Sequence, residues 1–315
     1  MKESLRKTFI YFSKWNSYWN LTDRTQNLII DPGKTGRYPL DFKPRILEGH
    51  YPFFDENGVP MWHTKENNKY FHHYTTMFSY ALGQSDFYLL TGRKEHLDKV
   101  VAVADYILES AVLEDGGLFL KESDNEGKHS GNVSAMSQGE GMSVLCRAYE
   151  YTGNDNYLIS AKKLIKPFLS NVDEGGVKGE ITALNIPWYE EYVDRPLFHV
   201  LNGMIYSLWG LRDLSNLTGN GNSFELFENG IKYVEKALPL FDNGYWSYYW
   251  IPENGRKYTA SMMYHNLHIC QLQALYDQTG SMIIKSYMEK FLEYAKNPLK
   301  RLKAGRDIFS AKISG

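Results

Sequence analysis

The residues best suited to chemistry lie in three aromatic segments in the second half of the chain. They are Trp188-Tyr-Glu-Glu-Tyr192, Trp246-Ser-Tyr-Tyr-Trp250 and Tyr264-His-Asn-Leu-His268. Phenols and carboxylates transfer protons and flat rings stack on sugar faces, although aromatic side chains more often pack in cores. His265 and His268 lie three residues apart on a predicted helix, which also suits a metal, but no third ligand accompanies them. The segments therefore indicate proton transfer or sugar binding, and we expect no metal and no cofactor.

The composition excludes several classes of protein. The chain has 315 residues, 43% of them hydrophobic and 15% aromatic, and so predicts a sizeable core. The formal net charge is -2 and charged residues are spread along the chain, so neither nucleic acid nor a membrane is expected as a partner. Cys146 and Cys270 lie in apolar helical segments and are predicted to be buried packing residues. No signal peptide is predicted in Met1–Trp19, which makes a cytoplasmic location the expectation.

An internal repeat predicts the elements that position the aromatic segments. A Thr-Gly dipeptide follows an apolar helical segment four times, with spacings of 61, 66 and 61 residues. The dipeptides are Thr91-Gly92, Thr152-Gly153, Thr218-Gly219 and Thr279-Gly280. A glycine just after a helix can take the left-handed conformation that closes it, so each dipeptide is predicted to be a C-cap and turn inside an αα-hairpin.

The two helices of each predicted hairpin differ in character. The first helices are apolar and carry small residues such as Gly139 and Gly210; they are predicted at 74–90, 135–151, 200–217 and 264–278. The second helices carry a Lys/Glu face and are predicted at 96–111, 156–172, 223–240 and 282–296. This difference assigns an inner and an outer helix to each pair. The predicted fold is mainly α, a complete or incomplete α/α toroid.

Long glycine-rich inserts join consecutive hairpins, at residues 113–134, 173–199 and 241–263. Their strand-like runs predict a β-hairpin in each. Every insert leads from an outer helix to the next inner helix, so all three are expected on one rim of the toroid, together with a functional site. Residues 70–315 are predicted to form the catalytic toroid. Residues 1–69 fall outside the repeat and are predicted to be an arm or small extended subdomain packed on it.

Several sequence blocks resemble the catalytic C-terminal part of the heparosan and heparan glucuronyl C5-epimerases. In addition to the Trp188–Tyr192 segment they are Leu201-Asn-Gly203 with Tyr206, the tyrosine pair of the third insert, Tyr264-His-x-x-His268 with Gln271-Leu-Gln273, and Met136-Ser-Gln-Gly-Glu140. The likeness runs from about residue 70 to residue 295. Blocks that keep their order and separation are a specific signal, whereas a single block would be weak.

The resemblance implies removal of the C5 proton of a glucuronate residue in a polymer and its return on the opposite face, which gives iduronate. It places the catalytic tyrosines at Tyr192, Tyr264 and one of Tyr248 and Tyr249, with Tyr249 preferred, and the accompanying carboxylate at Glu191. The side chains expected to bind the substrate are Tyr248, Trp188, Trp246, Asn202, Tyr206, His265, His268, Arg256, Lys257, Gln138 and Tyr74. The resemblance also implies a polysaccharide substrate and a homodimer.

This set of residues makes chemical sense. Epimerisation without a redox cofactor needs proton-transfer groups on both faces of one carbon, because a single base would return the proton to the side it came from. A phenol with a pKa of ~10 is a poor base at neutral pH, so one tyrosine needs a nearby cation or hydrogen bond. The side chains close to Tyr264 in sequence that are candidates for this are His265, His268, Arg256 and Lys257. Glu191, if desolvation protonates it, is a candidate donor to the substrate carboxylate.

One departure from the family concerns charge. Vertebrate members have Asp-Leu-Arg directly after the third-insert tyrosine, where this chain has Trp250-Ile-Pro252. Either Arg256 or Lys257 replaces that arginine, or the charge pattern of the substrate differs. An unsulfated, heparosan-like chain is therefore favoured over a sulfated one.

Two other functions fit the same architecture. A uronate lyase shares the first step, and an inverting hydrolase needs two carboxylates about 6.5 to 9.5 Å apart. The rim carboxylates that are candidates for such a pair are Asp173, Glu174, Asp194, Asp242 and Glu253. The third function is that of a non-catalytic glycan-binding protein with a stacking rim. Among the remaining polar residues, Glu190 is interpreted as a surface residue, His72-His73 as a packing and capping feature, and Tyr206 and Tyr74 as packing within the toroid unless they line the cleft.

Overall fold

A computed structural model describes residues 31–64, 68–123 and 129–314. A short helix, α1 (Lys43–Leu47), precedes the helical hairpins. The hairpins are α2 (Tyr74–Thr91) with α3 (Lys94–Ser110), α4 (Ala135–Thr152) with α5 (Asp155–Lys163) and α6 (Lys166–Leu169), α7 (Leu201–Thr218) with α8 (Gly221–Phe241), and α9 (Met262–Thr279) with α10 (Met282–Lys296). A final helix, α11 (Pro298–Ser314), follows. The hairpins predicted from the repeat are confirmed.

The four Thr-Gly turns are built alike. Each glycine has a φ between 66° and 71°, and its N–H donates to the carbonyl four residues earlier. Each threonine hydroxyl donates to the carbonyl four residues before it at 2.6 to 2.7 Å and accepts from the N–H two residues after it at 3.2 to 3.3 Å. These local bonds satisfy backbone groups at the helix end, which confirms the predicted C-caps.

Glycines bring the inner helices α4 and α7 into close contact. A Cβ on Gly210 would lie 2.1 Å from the carbonyl oxygen of Gly139, and a Cβ on Gly139 would lie 2.5 Å from the Cα of Ser207. Helices α2, α4, α7 and α9 are buried along most of their length, whereas α3, α8 and α10 bury only one face. The inner and outer assignment is therefore confirmed, and the fold is a mainly α, α/α toroid.

One outer helix departs from the prediction. The sequence predicts a single helix over 156–172, but the structure breaks it between Lys163 and Lys166 and starts the short helix α6 there. Pro167 lies at the start of α6, where its missing N–H leaves no hydrogen bond unmade. The proline ends the first helix, so the second hairpin has a bent outer layer.

Each insert contains antiparallel strands, as predicted. The pairs are β1 (Trp62–Thr64) with β2 (Lys69–Phe71) before the toroid, then β3 (Val112–Glu114) with β4 (Gly117–Phe119), β5 (Lys121–Ser123) with β6 (His129–Val133), and β7 (Lys178–Ile181) with β8 (Ile186–Tyr189). The second and third inserts share a sheet in the order β11-β10-β9, formed by β9 (Phe198–Val200), β10 (Tyr248–Pro252) and β11 (Tyr258–Thr259). The N–H of Ala135 donates to the carbonyl of Glu190 at 2.8 Å and joins the first insert to the second. The inserts therefore lie side by side on one rim.

The described part of the N-terminal segment packs on the inner helices. Tyr38 is fully buried, with its ring 5.5 Å from that of Trp209 on α7 and the Arg147 guanidinium of α4 5.4 Å over it. A Cβ on Gly83 of α2 would lie 2.8 Å from the Cδ1 of Ile46, so the glycine lets α1 approach that helix. The division of the chain at residue 70 stays a prediction, and the segment 1–30 lies outside the described residues.

Two further sequence predictions concern burial and membranes. Cys146 and Cys270 are both buried and unpaired with each other, which confirms that they are packing residues. Among the described residues, no helix combines the length and the apolar character that crossing a bilayer requires.

Candidate active site

A cleft of about 700 Å³ opens at the rim that carries the inserts. The second insert, the starts of the inner helices and the N-terminal segment all contribute to its wall. The lining side chains used below are those of Arg45, Trp62, His73, Glu191, Tyr192, Asp194, Asn202, Tyr206 and Tyr264. Candidate residues far apart in sequence thus meet in one place.

Glu191 and Glu190 point in opposite directions, as neighbours in an extended chain do. Glu191 faces the cleft and lies against Gly203, where an added Cβ would be 2.4 Å from its Oε2. Glu190 is fully buried, and its Oε1 lies 2.7 Å from the Nδ1 of His199. The prediction of a surface role for Glu190 is wrong, because this residue pairs with a buried histidine and anchors the insert beneath Glu191.

Tyr192, Tyr249 and Tyr264 converge as the resemblance implies. The rings of Tyr249 and Tyr264 have centroids 4.3 Å apart. Tyr192 is close enough to Tyr249 and to the carboxylate of Glu191 for both to influence its pKa. Tyr264 occupies the first turn of α9, where its N–H donates to the Oγ of the cap residue Ser261 at 3.3 Å. Three phenols and a carboxylate from two inserts and one helix form a continuous cluster.

The surroundings favour the protonated form of two of these phenols. The neighbouring carboxylate of Glu191, and then burial, raises the pKa of Tyr192 well above the ordinary value of a phenol. Burial, and then the charge of Glu191, raises the pKa of Tyr249. Tyr192 and Tyr249 are therefore proton donors at neutral pH. The expectation that a cation lowers the pKa of a site tyrosine is not met at either position.

The other tyrosine of the pair faces away from the cluster. Although the pairing of β10 with β11 is irregular between Tyr248 and Trp250, Tyr248 is more exposed than Tyr249 and its ring has different neighbours. The ammonium of Lys257 lies 5.1 Å over the Tyr248 ring and donates to the carbonyl of Leu240 at 2.8 Å. Arg256 and Lys257 line a separate cavity of about 340 Å³. The structure thus places Tyr249 against the cleft residue Tyr264, behind the cleft wall, and leaves Tyr248, Arg256 and Lys257 away from the cleft.

The two histidines of α9 belong to the core. His265 and His268 are fully buried; the Nδ1 atoms of both contact the Oγ of Ser247, at 2.7 and 3.0 Å. The His265 ring stacks on that of Trp246, with centroids 3.6 Å apart. Burial lowers the pKa of His268 to about 3 and that of His265 well below its ordinary value. Uncharged and buried, neither histidine can supply a field to Tyr264 or touch a substrate, contrary to the expectation.

Other predicted substrate contacts also turn out to be structural. Trp246 and Trp188 are fully buried, and Trp188 stacks on Phe241. Gln138 is fully buried, with its Oε1 accepting from the N–H of Leu120 at 2.9 Å, so it ties the first insert to α4. Tyr74 is 5% exposed and stacks on Phe78 inside the toroid. The lining of the cleft does not include these four predicted residues.

Asn202 and Tyr206 do line the cleft, from the first turns of α7. The Asn202 side chain is 3% exposed, and its Oδ1 accepts no hydrogen bond from the described residues. A buried acceptor at the wall of a cleft suits a hydroxyl of a bound sugar. Tyr206 is 4% exposed and contributes mainly its ring edge to packing against Trp209.

The carboxylates suggested for a hydrolase do not form a pair across the cleft. Asp173 and Glu253 both bind Arg195, at 2.7 and 2.5 Å, and Asp242 binds Lys290 at 2.5 Å. Glu174 closes a capping box with Asn171. Asp194 does line the cleft, but on the same insert as Glu191. Within the described residues, no group of three or more His, Cys, Asp or Glu is placed to hold a metal.

The sequence analysis did not assign several cleft-lining residues to the site, among them Arg45, Trp62 and His73. Arg45 lies on α1, Trp62 on β1 and His73 at the N-cap of α2. They belong to the N-terminal segment and the entry to the first hairpin, where no repeat indicates which side chains face the rim. His73 occupies the N-cap position of α2, but its side chain makes no capping hydrogen bond. It forms part of the cleft wall, with its ring 6.0 Å from that of Trp62.

Comparison with known sequences gives consistent matches. A family model described as the D-glucuronyl C5-epimerase C-terminus matches residues 118–293, more than half of the chain. The D-glucuronyl C5-epimerase of Caenorhabditis elegans is 35% identical over 177 residues, which are 51% of this chain and 28% of that protein. An uncharacterized protein of Methanocaldococcus jannaschii is 33% identical over 161 residues, 50% of this chain and 51% of its own length. The matches thus span about half or less of these relatives.

Solved structures show the same fold at low sequence identity. The cellobiose 2-epimerase of Bacillus thermoamylovorans B4167 has a TM-score of 0.56 and 11% identity, covering 94% of this chain and 88% of its own. A family 76 glycoside hydrolase, a mannosidase of Bacteroides thetaiotaomicron VPI-5482, has a TM-score of 0.52 and 13% identity, covering 91% and 85%. These likenesses support the α/α toroid and carry no information about the reaction.

Proposed function

The chain belongs to the family defined by the C-terminal region of the D-glucuronyl C5-epimerases, and from this premise we propose that it is a carbohydrate epimerase that inverts C5 of glucuronate residues in a heparosan-like polysaccharide. The observation that carries the proposal is the cluster at the rim cleft, in which Glu191, Tyr192 and Tyr264 line the cleft and Tyr249 packs behind them. Its cleft-lining members come from two separate elements, the second insert and α9, and supply a proton acceptor and donors for the two faces of one carbon.

The raised pKa values support the following roles. Because Tyr192 and Tyr249 hold their protons at neutral pH, neither is the base. The carboxylate of Glu191 takes the C5 proton, and the electron pair of the broken C–H bond delocalises into the uronate carboxyl group. The hydroxyl of Tyr264 delivers a proton to the opposite face of C5, which forms the new C–H bond. Glu191 thus acts as base in this direction, rather than as the neutral donor considered from the sequence.

The tyrosine cluster also explains how the enzyme returns to its starting state. After one inversion Glu191 carries an extra proton and Tyr264 lacks one. This proton returns along a series of four neighbouring groups, from Glu191 through Tyr192 and Tyr249 to Tyr264. Tyr249 is nearly buried behind the cleft, which suits a linking role better than direct contact with the sugar.

The polymer is proposed to be unsulfated. Among the cleft-lining residues of the described ranges, two are carboxylates, Glu191 and Asp194, and one is a lysine or arginine, Arg45. A wall with this charge suits a chain that presents one carboxylate at a time, whereas sulfate groups would face uncompensated negative charge.

Incubation with heparosan in D2O tests the reaction. An epimerase places deuterium at C5, yields iduronate and leaves the chain length unchanged, as read by NMR and size-exclusion chromatography. Ultraviolet absorbance from a new C4–C5 double bond would identify a lyase instead, and new reducing ends would identify a hydrolase. Binding without any isotope exchange would mean that the protein only recognises the glycan.

A further inference from the structure

The N-terminal segment supplies one wall of the cleft, opposite in charge to the wall from the second insert. Arg45 and Trp62 lie in it, outside the region that matches the epimerase family. Trp62 is 49% exposed, so a large flat ring is presented to the cleft at its edge. A half-exposed tryptophan beside a charged side chain is an arrangement that suits a sugar ring carrying a charge.

Charge makes Arg45 the distinctive member of this wall. No other lysine or arginine lines the cleft in the part of the chain that the structure describes, and the second insert contributes Glu191 and Asp194 to the same cleft. Burial lowers the pKa of His73, so this neighbour is uncharged at neutral pH. An anionic ligand in such a cleft is held only if a cation offsets the two carboxylates, and Arg45 is the cation in position.

The local fold holds the Arg45 side chain in place. Helix α1 has Pro44 in its first turn, and Ile46 packs into the space left by Gly83 on α2. The guanidinium lies 5.4 Å over the ring of Tyr51, which is itself 6% exposed. An arginine positioned by packing offers its planar fork of donors at little entropic cost, and that fork matches both oxygens of a carboxylate.

We propose that Arg45 binds the carboxylate of the uronate residue whose C5 is exchanged, while the ring of Trp62 stacks on the polymer next to it. This inference rests on the proposed function, since it takes a uronate polymer as the ligand. Arg45 then has two effects. It selects for a uronate over a neutral sugar, and it stabilises the negative charge that develops on the carboxyl group when C5 loses its proton. Arg45 thus takes the role expected of the arginine that vertebrate members carry after the third-insert tyrosine, although it lies in a different part of the chain.

The test is a comparison of two ligands and three variants by isothermal titration calorimetry, using the 315-residue chain. The ligands are a heparosan oligosaccharide and the same oligosaccharide with its carboxyl groups reduced to hydroxymethyl groups. The variants are Arg45→Gln, Arg45→Lys and the matched control Arg256→Gln, which makes the same chemical change in the separate cavity. Circular dichroism and a thermal melt establish that each variant is folded.

The wild type is expected to bind the uronate oligosaccharide about 10- to 100-fold more tightly than the reduced one, the range for a hydrogen bond to a charged group. Arg45→Gln is expected to lose that preference while binding the reduced ligand as the wild type does. Arg45→Lys keeps the positive charge but lacks the planar donor group of the guanidinium, so it should retain part of the preference for the uronate ligand. If Arg45→Gln does not fold, the comparison of Arg45→Lys with the wild type tests the proposal. Arg256→Gln should behave as the wild type.

Three results would overturn the proposal. The first is a wild type that does not discriminate between the two ligands, including a wild type that binds neither. The second is an Arg45→Gln variant that keeps the full preference for the uronate ligand. The third is an Arg256→Gln variant that loses this preference as completely as Arg45→Gln does. Failure of the proposed function is a separate result. A wild type that prefers the uronate ligand through Arg45 but places no deuterium at C5 would retain the binding role and refute the epimerase.

Discussion

Replacing Tyr264 by phenylalanine removes one hydroxyl and leaves the ring in place. The ring packs against Tyr249 with centroids 4.3 Å apart, so the substitution opens no cavity. The polar interaction between the two hydroxyls is lost, which costs no more than about 1 kcal/mol of unfolding free energy. For a domain of this size that corresponds to a fall in melting temperature of about 2 to 4 °C. The variant should therefore fold and bind heparosan oligosaccharides as the wild type does.

The same substitution should nearly abolish catalysis. Tyr264 is assigned as the donor to the second face of C5, and loss of a general acid or base typically reduces a rate by about 10²- to 10⁴-fold. This range is equivalent to about 3 to 5 kcal/mol of activation free energy. The effect on the rate thus exceeds the effect on stability several-fold, so the two are separable by measurement.

The assay is the initial rate of deuterium incorporation at C5 of heparosan, followed by NMR at saturating substrate, with a thermal melt of each protein. Tyr248→Phe is the matched control, because it removes a hydroxyl from the adjacent strand position on the face away from the cleft and should leave the rate unchanged. Full exchange activity in Tyr264→Phe, or an equal loss in Tyr248→Phe, would refute the assignment of Tyr264.

Three further changes probe the neighbours of Tyr264. Glu191→Gln should lower the C5 exchange rate by about 10²- to 10⁴-fold. It should also tighten binding of the anionic oligosaccharide in calorimetry, because the negative charge of Glu191 no longer repels the ligand. Weaker binding would contradict the negative charge assigned to Glu191. Gly203→Ala should reduce exchange and lower the melting temperature, because its Cβ would lie 2.4 Å from the Oε2 and 2.8 Å from the Cβ of Glu191, so that both the carboxylate and the backbone that carries it must shift. Unchanged exchange would show that the contact does not position Glu191. Acid should destabilise the fold through His268. The pKa of His268 is about 3 in the folded protein and about 6.5 in the unfolded chain. The stability that is present above pH ~6.5 is therefore lost as the pH falls, by about 1.4 kcal/mol per pH unit. Urea titrations at several pH values should show a shallower loss for His268→Gln than for the wild type, and equal slopes would exclude His268 as a cause.

The helical framework was predictable because its signals are local. A Thr-Gly turn forms hydrogen bonds within about four residues, so its sequence predicts its geometry wherever it occurs. The position of the inserts follows from connectivity alone, since every insert leaves an outer helix and enters an inner one. The break at Pro167 was also visible in the sequence, and a proline inside a predicted helix should have divided it.

Two pairs of neighbouring residues in the site show what a sequence pattern cannot predict. Alternation along an extended chain indicates that Tyr248 and Tyr249 face opposite sides, as do Glu190 and Glu191, but not which member faces the cleft. The resemblance favoured Tyr249 and Glu191, and these are the members of each pair that lie beside Tyr264 and Tyr192. It did not indicate that Glu190 would be buried against His199, because that pairing depends on how β9 returns beside the insert.

Side chains beyond the repeat were the least predictable. His265 and His268 share a helix face by their spacing, but only the packing of Trp246 and Ser247 shows that this face is the core. Arg45 could not be assigned at all, since its place in the cleft depends on how the N-terminal segment packs across α2. Contacts between distant segments decide both cases, and a single sequence carries no direct record of them.

The rim, more than the helical ring, sets the geometry of the site. Pairing of β9 with β10 fixes the strand of Tyr249 to the end of the second insert, and the buried Glu190 fixes that insert to the start of α4 through the N–H of Ala135. Both attachments use backbone atoms. The side chains that face the cleft can therefore differ among toroids that have the same attachments. A toroid can thus retain its capped helices while its chemistry changes with the inserts. That separation explains why chains only 11% to 13% identical to this one keep the fold, and why the reaction has to be inferred from Glu191, Tyr192 and Tyr264 rather than from the fold.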